Sequence, residues 1–196
     1  MRYKLGLFFA LILLSTLALA GCGKKGASGK HQVEIEVENY GTIKLELDAD
    51  AAPITVENFV KLAEDGFYDG LTFHRVVRDF MIQGGDPNGN GSGGSEETIK
   101  GEFSENGVEN SLSHTRGAIS MARSDDMDSA SSQFFIVHKD STFLDGKYAA
   151  FGYVTEGIEV VDQIVEEVLQ YPLADERMGL VETEHQPVIK SITVVK

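Results

Sequence analysis

FHRVVRDFMIQGGD, residues 73 to 86, is the stretch on which the reading of this chain turns. It interleaves large apolar side chains with isolated polar ones, chiefly Arg75 and Gln83. SSQFFIVH follows at residues 131 to 138 and repeats the pattern with Gln133. An unpaired polar side chain in an apolar core costs several kcal/mol, roughly 2–7 for a neutral group. A binding face has a use for the same mixture, because it needs an apolar pocket with a few aimed donors. Two further segments carry related patterns: GAISMAR (117 to 123) and FLDGKYAAFG (143 to 152).

Around these segments the periodicities are plain. Val33, Ile35 and Val37 alternate with glutamates, and Ile43, Leu45 and Leu47 alternate with Lys44, Glu46 and Asp48. Both runs predict strands with one wet face, joined by a hairpin at Asn39-Tyr40-Gly41. Pro53 predicts the first turn of a helix that Gly66 ends, with Val56, Phe59, Val60 and Ala63 along one side. A second helix is predicted from about Gly157 to Val168, with Val161, Ile164, Val165 and Val168 on one stripe. Further strand candidates are 71 to 77, 80 to 84, 117 to 121, 133 to 137, 148 to 154 and 188 to 195. Eight short strands and two helices predict a mainly β fold, and pattern alone leaves barrel and sandwich both open. Residues 86 to 113 and 169 to 187 read as long irregular loops, and NGNGSGG (88 to 94) as a surface turn.

The four motifs, in this order, resemble the cyclophilins, the peptidyl-prolyl cis-trans isomerases, over residues 31 to 196. The resemblance implies a closed eight-stranded antiparallel barrel capped by two α-helices, with the active face outside. It implies isomerisation of Xaa-Pro bonds with no cofactor and no metal. Amide resonance sets that barrier at about 18–20 kcal/mol, and a guanidinium that donates to the prolyl nitrogen favours the twisted, less conjugated bond. Arg75 matches the family's catalytic arginine. Phe80, Met81, Phe135 and Leu144 match the proline pocket, and Gln83, Gln133, Ala122 and Arg123 match groove positions that read the substrate backbone. Phe134 and Phe135 are adjacent, so one faces the core and the other the pocket, and the motif assigns Phe135 to the pocket. The loop of residues 88 to 94 matches the glycine loop beside the groove. His74 precedes Arg75 and reads as a structural histidine pointing the other way. Three positions depart from many eukaryotic relatives: Phe143 stands for Trp, Tyr148 for His and Arg123 for Asn. The family's tryptophan contacts cyclosporin, so weak drug binding is expected here, while the charge on Arg123 is expected to bias substrates.

The N-terminus reads as targeting, not fold. Arg2 and Lys4 precede an uncharged, mostly apolar run from Leu5 to Ala20, and sixteen residues are short for a membrane span of about 20. Leu19-Ala20-Gly21-Cys22 resembles a bacterial lipobox, with the single cysteine as the lipidated first mature residue. The expected organisation is a signal peptide at 1 to 21, an acylated (palmitate-bearing) Cys22 with a flexible tether to residue 30, and the isomerase domain at 31 to 196. Lys24, Lys25 and Lys30 either touch anionic headgroups or only keep the tether soluble. The chain carries 17 basic and 31 acidic residues, a net charge of −14, and losing Arg2 and Lys4 takes it to −16. That balance argues against nucleic acid, which needs a basic face. The expected partners are proline-containing peptides, unfolded secreted or envelope proteins, and a membrane through the lipid anchor. The expected state is a monomer on the extracytoplasmic side of the cell membrane. A holding chaperone with incidental catalysis is the alternative.

Overall fold

The computed structural model describes residues 27–195. The leader, Cys22 and the first part of the tether lie outside the described residues. Among the described residues, no helix is long and apolar enough to cross a membrane. The first strand, β1 (Lys30–Val37), forms a hairpin with β2 (Gly41–Asp48). Val33, Ile35, Val37, Ile43, Leu45 and Leu47 are all buried, as the alternation predicts. Lys30 is already strand, and its Nζ lies 2.5 Å from Asp48, so it is engaged in the fold and not part of a free tether.

Helix α1 spans Pro53–Glu64, with Pro53 in the first turn. No side chain of its own caps it. The buried Glu102 carboxylate does so from a distant loop, accepting the N–H groups of Ile54 (3.1 Å) and Thr55 (2.8 Å). An anion is favourable there, where four N–H groups lack helical partners. Gly66, at φ 69°, donates to the Ala63 carbonyl and turns the chain out of the helix. Helix α2 spans Ile158–Val168 and buries Val161, Ile164, Val165 and Val168. Both helices bury these faces in one core, where Phe59 packs against Tyr68, Phe134 and Phe151 at centroid distances of 5.1 to 5.4 Å.

The remaining strands are β3 (Thr72–Val77), β4 (Met81–Asp86), β5 (Ala118–Met121), β6 (Phe134–Val137), β7 (Ala150–Glu156), β8 (Leu173–Asp175), β9 (Leu180–Val181) and β10 (Ile189–Val195). All join one ten-stranded antiparallel sheet in the order β10-β1-β2-β7-β5-β6-β4-β3-β9-β8. This corrects the expected closed eight-stranded barrel. Closure needs a ladder between the first and last strands, and here β10 and β8 lie at opposite ends. β3 and the segment that enters β10 nevertheless meet without a ladder between them. An isolated bridge joins Thr72 to Val188, and Phe73 donates to the Pro187 carbonyl at 2.9 Å. The additional pair, β8 and β9, lies in the loop expected to be irregular. Strands of three and two residues carry no readable period.

Alternation along the central strands splits the apolar residues between two faces. Ile82, Phe134 and Ile136 enter the main core. Met81, Phe135 and Val137 form a separate cluster with Ala118 and Leu144 on the other face. Gly84 and Gly85 let β4 pass close to its neighbours. Gly85 has φ 82°, and a Cβ there would lie 2.5 Å from the Ser132 carbonyl oxygen.

Candidate active site

The second apolar cluster floors a cleft of about 500 Å³. Strand register explains how distant segments meet there. Arg75 pairs with Gln83, Gln83 with Phe135, and Phe135 with Ser120, so one row crosses β3, β4, β6 and β5. Residues in such a row share a face at about 4.5–5.5 Å between Cβ atoms of neighbours. Arg75, Met81, Gln83 and Phe135 line this cleft from the strands, together with Phe80 from the β3–β4 turn. Ala122, Arg123, Phe143, Leu144 and Tyr148 line it from the loops. Gln133 lines an adjoining cleft of about 270 Å³, which shares Gln83, Gly91, Ala122 and Arg123 with the first.

A chain of side-chain hydrogen bonds organises the polar edge. Arg75 Nη1 donates to Gln83 Oε1 (3.0 Å), Gln83 Nε2 to Gln133 Oε1 (2.8 Å), and Gln133 Nε2 to the Gly93 carbonyl (2.7 Å). Arginine can only donate, so it fixes which end of each glutamine faces which way. Arg75 Nε donates to the Met178 carbonyl at 2.6 Å. Among the described residues Nη2 makes no hydrogen bond and the guanidinium pairs with no carboxylate. Burial pushes the guanidinium below its ordinary value, against a smaller pull from Tyr148. It stays charged, because arginine starts from about 12 or higher.

The apolar side is equally defined. The Phe143 ring is 65% exposed and lies 5.7 Å from the Phe80 ring, so it extends the wall toward solvent. Phe135 sits edge-on to Tyr148 and is stacked above His114. His114 is buried between Asp145 (Nδ1, 2.8 Å) and Ser120 (Nε2, 3.0 Å). Burial lowers its pKa, outweighing the opposing pull of Asp145. A neutral ring that donates to the Asp145 carboxylate therefore supports the pocket floor. Arg123 donates to the Lys147 and Ser124 carbonyls and lies over the Tyr148 ring at 4.8 Å. Arg123 lines both clefts. Its backbone N–H and carbonyl have no backbone partner among the described residues, which leaves an edge open to an extended peptide.

The Asp86 carboxylate holds the glycine loop by accepting the N–H groups of Asn88, Asn90 and Gly91 at 2.6 to 3.0 Å. Asn90 and Gly91 reach the larger cleft. His74 departs from the expected orientation. Phe73 pairs with Gly84 and Arg75 with Gln83, so His74 is the extra residue of a β-bulge. The bulge breaks strict alternation and places His74, fully buried, in the lining beside Arg75. Its ring nitrogens have no hydrogen-bond partner among the described residues. Burial holds its pKa down, against Asp86. Sequence reasoning missed Met178 and Leu180, which line the far side of the cleft. The turn signal Asp175…Gly179 was their only local trace.

This arrangement can seat a small apolar ring against Phe80, Met81, Phe135 and Leu144, with a fixed guanidinium at its edge. The comparisons agree with that capacity. The family model described as "Cyclophilin type peptidyl-prolyl cis-trans isomerase/CLD" matches residues 32–194. The chain is similar to peptidyl-prolyl cis-trans isomerase B of Bacillus subtilis, 50% identical over 123 residues, or 63% of this chain and 82% of that protein. A peptidyl-prolyl cis-trans isomerase of Helicobacter pylori is 47% identical over 128 residues, or 64% of this chain and 76% of its own length. Among solved structures, a cyclophilin-type isomerase of Cryptosporidium parvum, crystallised in the presence of the dipeptide Ala-Pro, superposes with a TM-score of 0.72. It is 30% identical and covers 84% of this chain and 99% of its own. A match across nearly the whole described domain, with relatives at this identity, establishes that the chain belongs to the cyclophilin-type peptidyl-prolyl cis-trans isomerases.

Proposed function

We propose that Arg75 is the catalytic group of this isomerase and that the enzyme works at an extracytoplasmic membrane surface on unfolded secreted or envelope proteins. The observation that carries the catalytic part is the hydrogen-bonded chain Arg75–Gln83–Gln133 along the edge of the apolar cleft. The proline ring seats against Met81, Phe135 and Leu144, and Phe143 and Tyr148 extend the wall. The open backbone edge at Arg123 pairs with the extended peptide. As the Xaa-Pro bond twists, the prolyl nitrogen lone pair leaves the amide π system and accepts a hydrogen bond from the free edge of the guanidinium. That interaction exists only in the transition state, so it raises turnover and not mere affinity. No nucleophile and no proton transfer is required.

The location rests on the leader and the Leu19-Ala20-Gly21-Cys22 motif. Cleavage before Cys22 and its acylation would leave a short tether of seven residues, 23 to 29, before Lys30, which spans roughly 15 Å as a random coil. The strongly negative charge disfavours self-association, in keeping with a monomer. Two experiments test the reading. Exchange of a Xaa-Pro peptide, followed by NMR with and without EDTA, should be accelerated equally in both cases, and sensitivity to chelation would sink the metal-free mechanism. Intact-mass analysis of the membrane fraction should show loss of residues 1 to 21 with acyl mass on Cys22. A mature protein that begins elsewhere without lipid would overturn the anchor.

A further inference from the structure

The hairpin of β8 and β9 is attached to the outer edge of β3 for only one paired position, Leu180 opposite Arg75. Its turn, Asp175-Glu176-Arg177-Met178-Gly179, is tightly built all the same. Asp175 Oδ1 accepts the backbone N–H groups of Arg177 (2.9 Å) and Met178 (3.2 Å), and the Asp175 carbonyl accepts Gly179 N–H at 2.8 Å. Gly179 has φ 74°, and a Cβ there would lie 2.6 Å from Val77 Cγ2 and 2.8 Å from the Val76 carbonyl oxygen. The Gly179 carbonyl in turn accepts Val76 N–H at 2.9 Å, which locks the turn onto the residue after Arg75. The outcome is one aimed acceptor, the Met178 carbonyl 2.6 Å from Arg75 Nε.

A planar guanidinium held at one nitrogen can still swing as a unit about that contact through its flexible aliphatic stem. Held at Nε by Met178 and at Nη1 by Gln83, it cannot, and the donors on Nη2 point in one direction. Nothing else among the described residues performs the first of these tasks. We propose that the Asp175–Gly179 turn is the positioning element of Arg75, with Asp175 as the positioning residue that acts through the Met178 carbonyl. This rests on the reading of Arg75 as the catalytic group. Orientation of a donor toward a twisted bond affects the chemical step more than binding, and small misplacements of catalytic groups cost up to about a hundredfold.

The test compares the wild-type protein with Asp175→Ala, Asp175→Asn and Arg75→Ala in the same peptide-exchange assay, with the Arg75 Nε–H resonance followed by NMR. Asp175→Ala should lower kcat by about tenfold with KM within about twofold, the signature of an interaction made in the transition state. Its Arg75 Nε–H signal should shift and exchange faster with water. Asparagine keeps the Oδ1 acceptor, so Asp175→Asn should restore both readouts. Wild-type kcat in Asp175→Ala overturns the proposal, and so does a lowered kcat with an unmoved Nε–H signal. If Asp175→Ala does not fold, the wild-type protein decides alone: slow water exchange at Arg75 Nε–H supports the anchor, and fast exchange removes it. An active Arg75→Ala would instead refute the catalytic reading of Arg75, which separates the two failures.

Discussion

Truncating Arg75 to alanine tests the centre of the proposed mechanism. The change removes the hydrogen bonds to Met178 and Gln83 and the approach of the guanidinium to the Phe80 ring, 6.0 Å to its centroid. Both acceptors border an open cleft, so water can take the vacated places. Each lost bond then costs about 1 kcal/mol, a loss a domain of typical stability of about 5–15 kcal/mol survives. Part of even this is offset, because the guanidinium no longer has to be held in a partly desolvated place. The catalytic loss is larger relative to its scale. A hydrogen bond from a charged donor is worth about 1.5–3 kcal/mol, so kcat/KM should fall roughly ten- to a hundredfold. Lysine should stay within about threefold of alanine, since one ammonium cannot satisfy Met178, Gln83 and the prolyl nitrogen together. NMR exchange on a Xaa-Pro peptide gives the rate, and thermal melting of the same sample gives the folded fraction. A folded Arg75→Ala protein within threefold of wild-type turnover would show that the apolar cleft twists the bond unaided.

Further outcomes follow from the same geometry. His74 and His114 are kept neutral by burial, whereas the unfolded chain protonates both near their ordinary value of 6.5. Stability is therefore fully present above that pH and falls below it, by up to about 1.4 kcal/mol per pH unit for each histidine. Denaturant titrations at pH 7.5 and 5.5 check this, and equal midpoints would contradict it. Phe143→Trp should tighten cyclosporin inhibition by about tenfold through added ring area and a donor N–H, with peptide turnover nearly unchanged because Phe143 lies at the exposed end of the wall. Equal inhibition constants would remove position 143 from the drug site. Gly85→Ala should destabilise the fold by about 2–4 kcal/mol, through strain at positive φ and the Ser132 carbonyl. A urea midpoint like that of wild type would show that β4 can shift to admit a Cβ.

Much of this molecule could be read from local pattern. The alternation in β1 and β2 sorted core from surface, because successive strand side chains face opposite ways. Pro53 and Gly66 bracketed α1 because of what their backbones permit. Arg75, Met81, Gln83 and Phe135 come together on one face because strand register carries them there, while Phe80, Ala122, Arg123, Phe143, Leu144 and Tyr148 arrive from turns and loops. Local pattern could not show how the sheet ends. The count of ten strands, and not eight, comes from two very short strands, β8 and β9, that pair with each other and reach the sheet through β9 alone, whose partner β3 lies about a hundred residues away. The bulge at His74 depends on β4 as well as β3, and the helix cap supplied by Glu102 crosses 47 residues to Thr55. The Met178 carbonyl that holds Arg75 belongs to the backbone, which every residue shares, so only its place in space could mark it. Outside the bulge at His74, sequence alone determined which side chains face together along the regular elements. Tertiary structure decided which backbone groups meet them, because those contacts join segments that no local period relates.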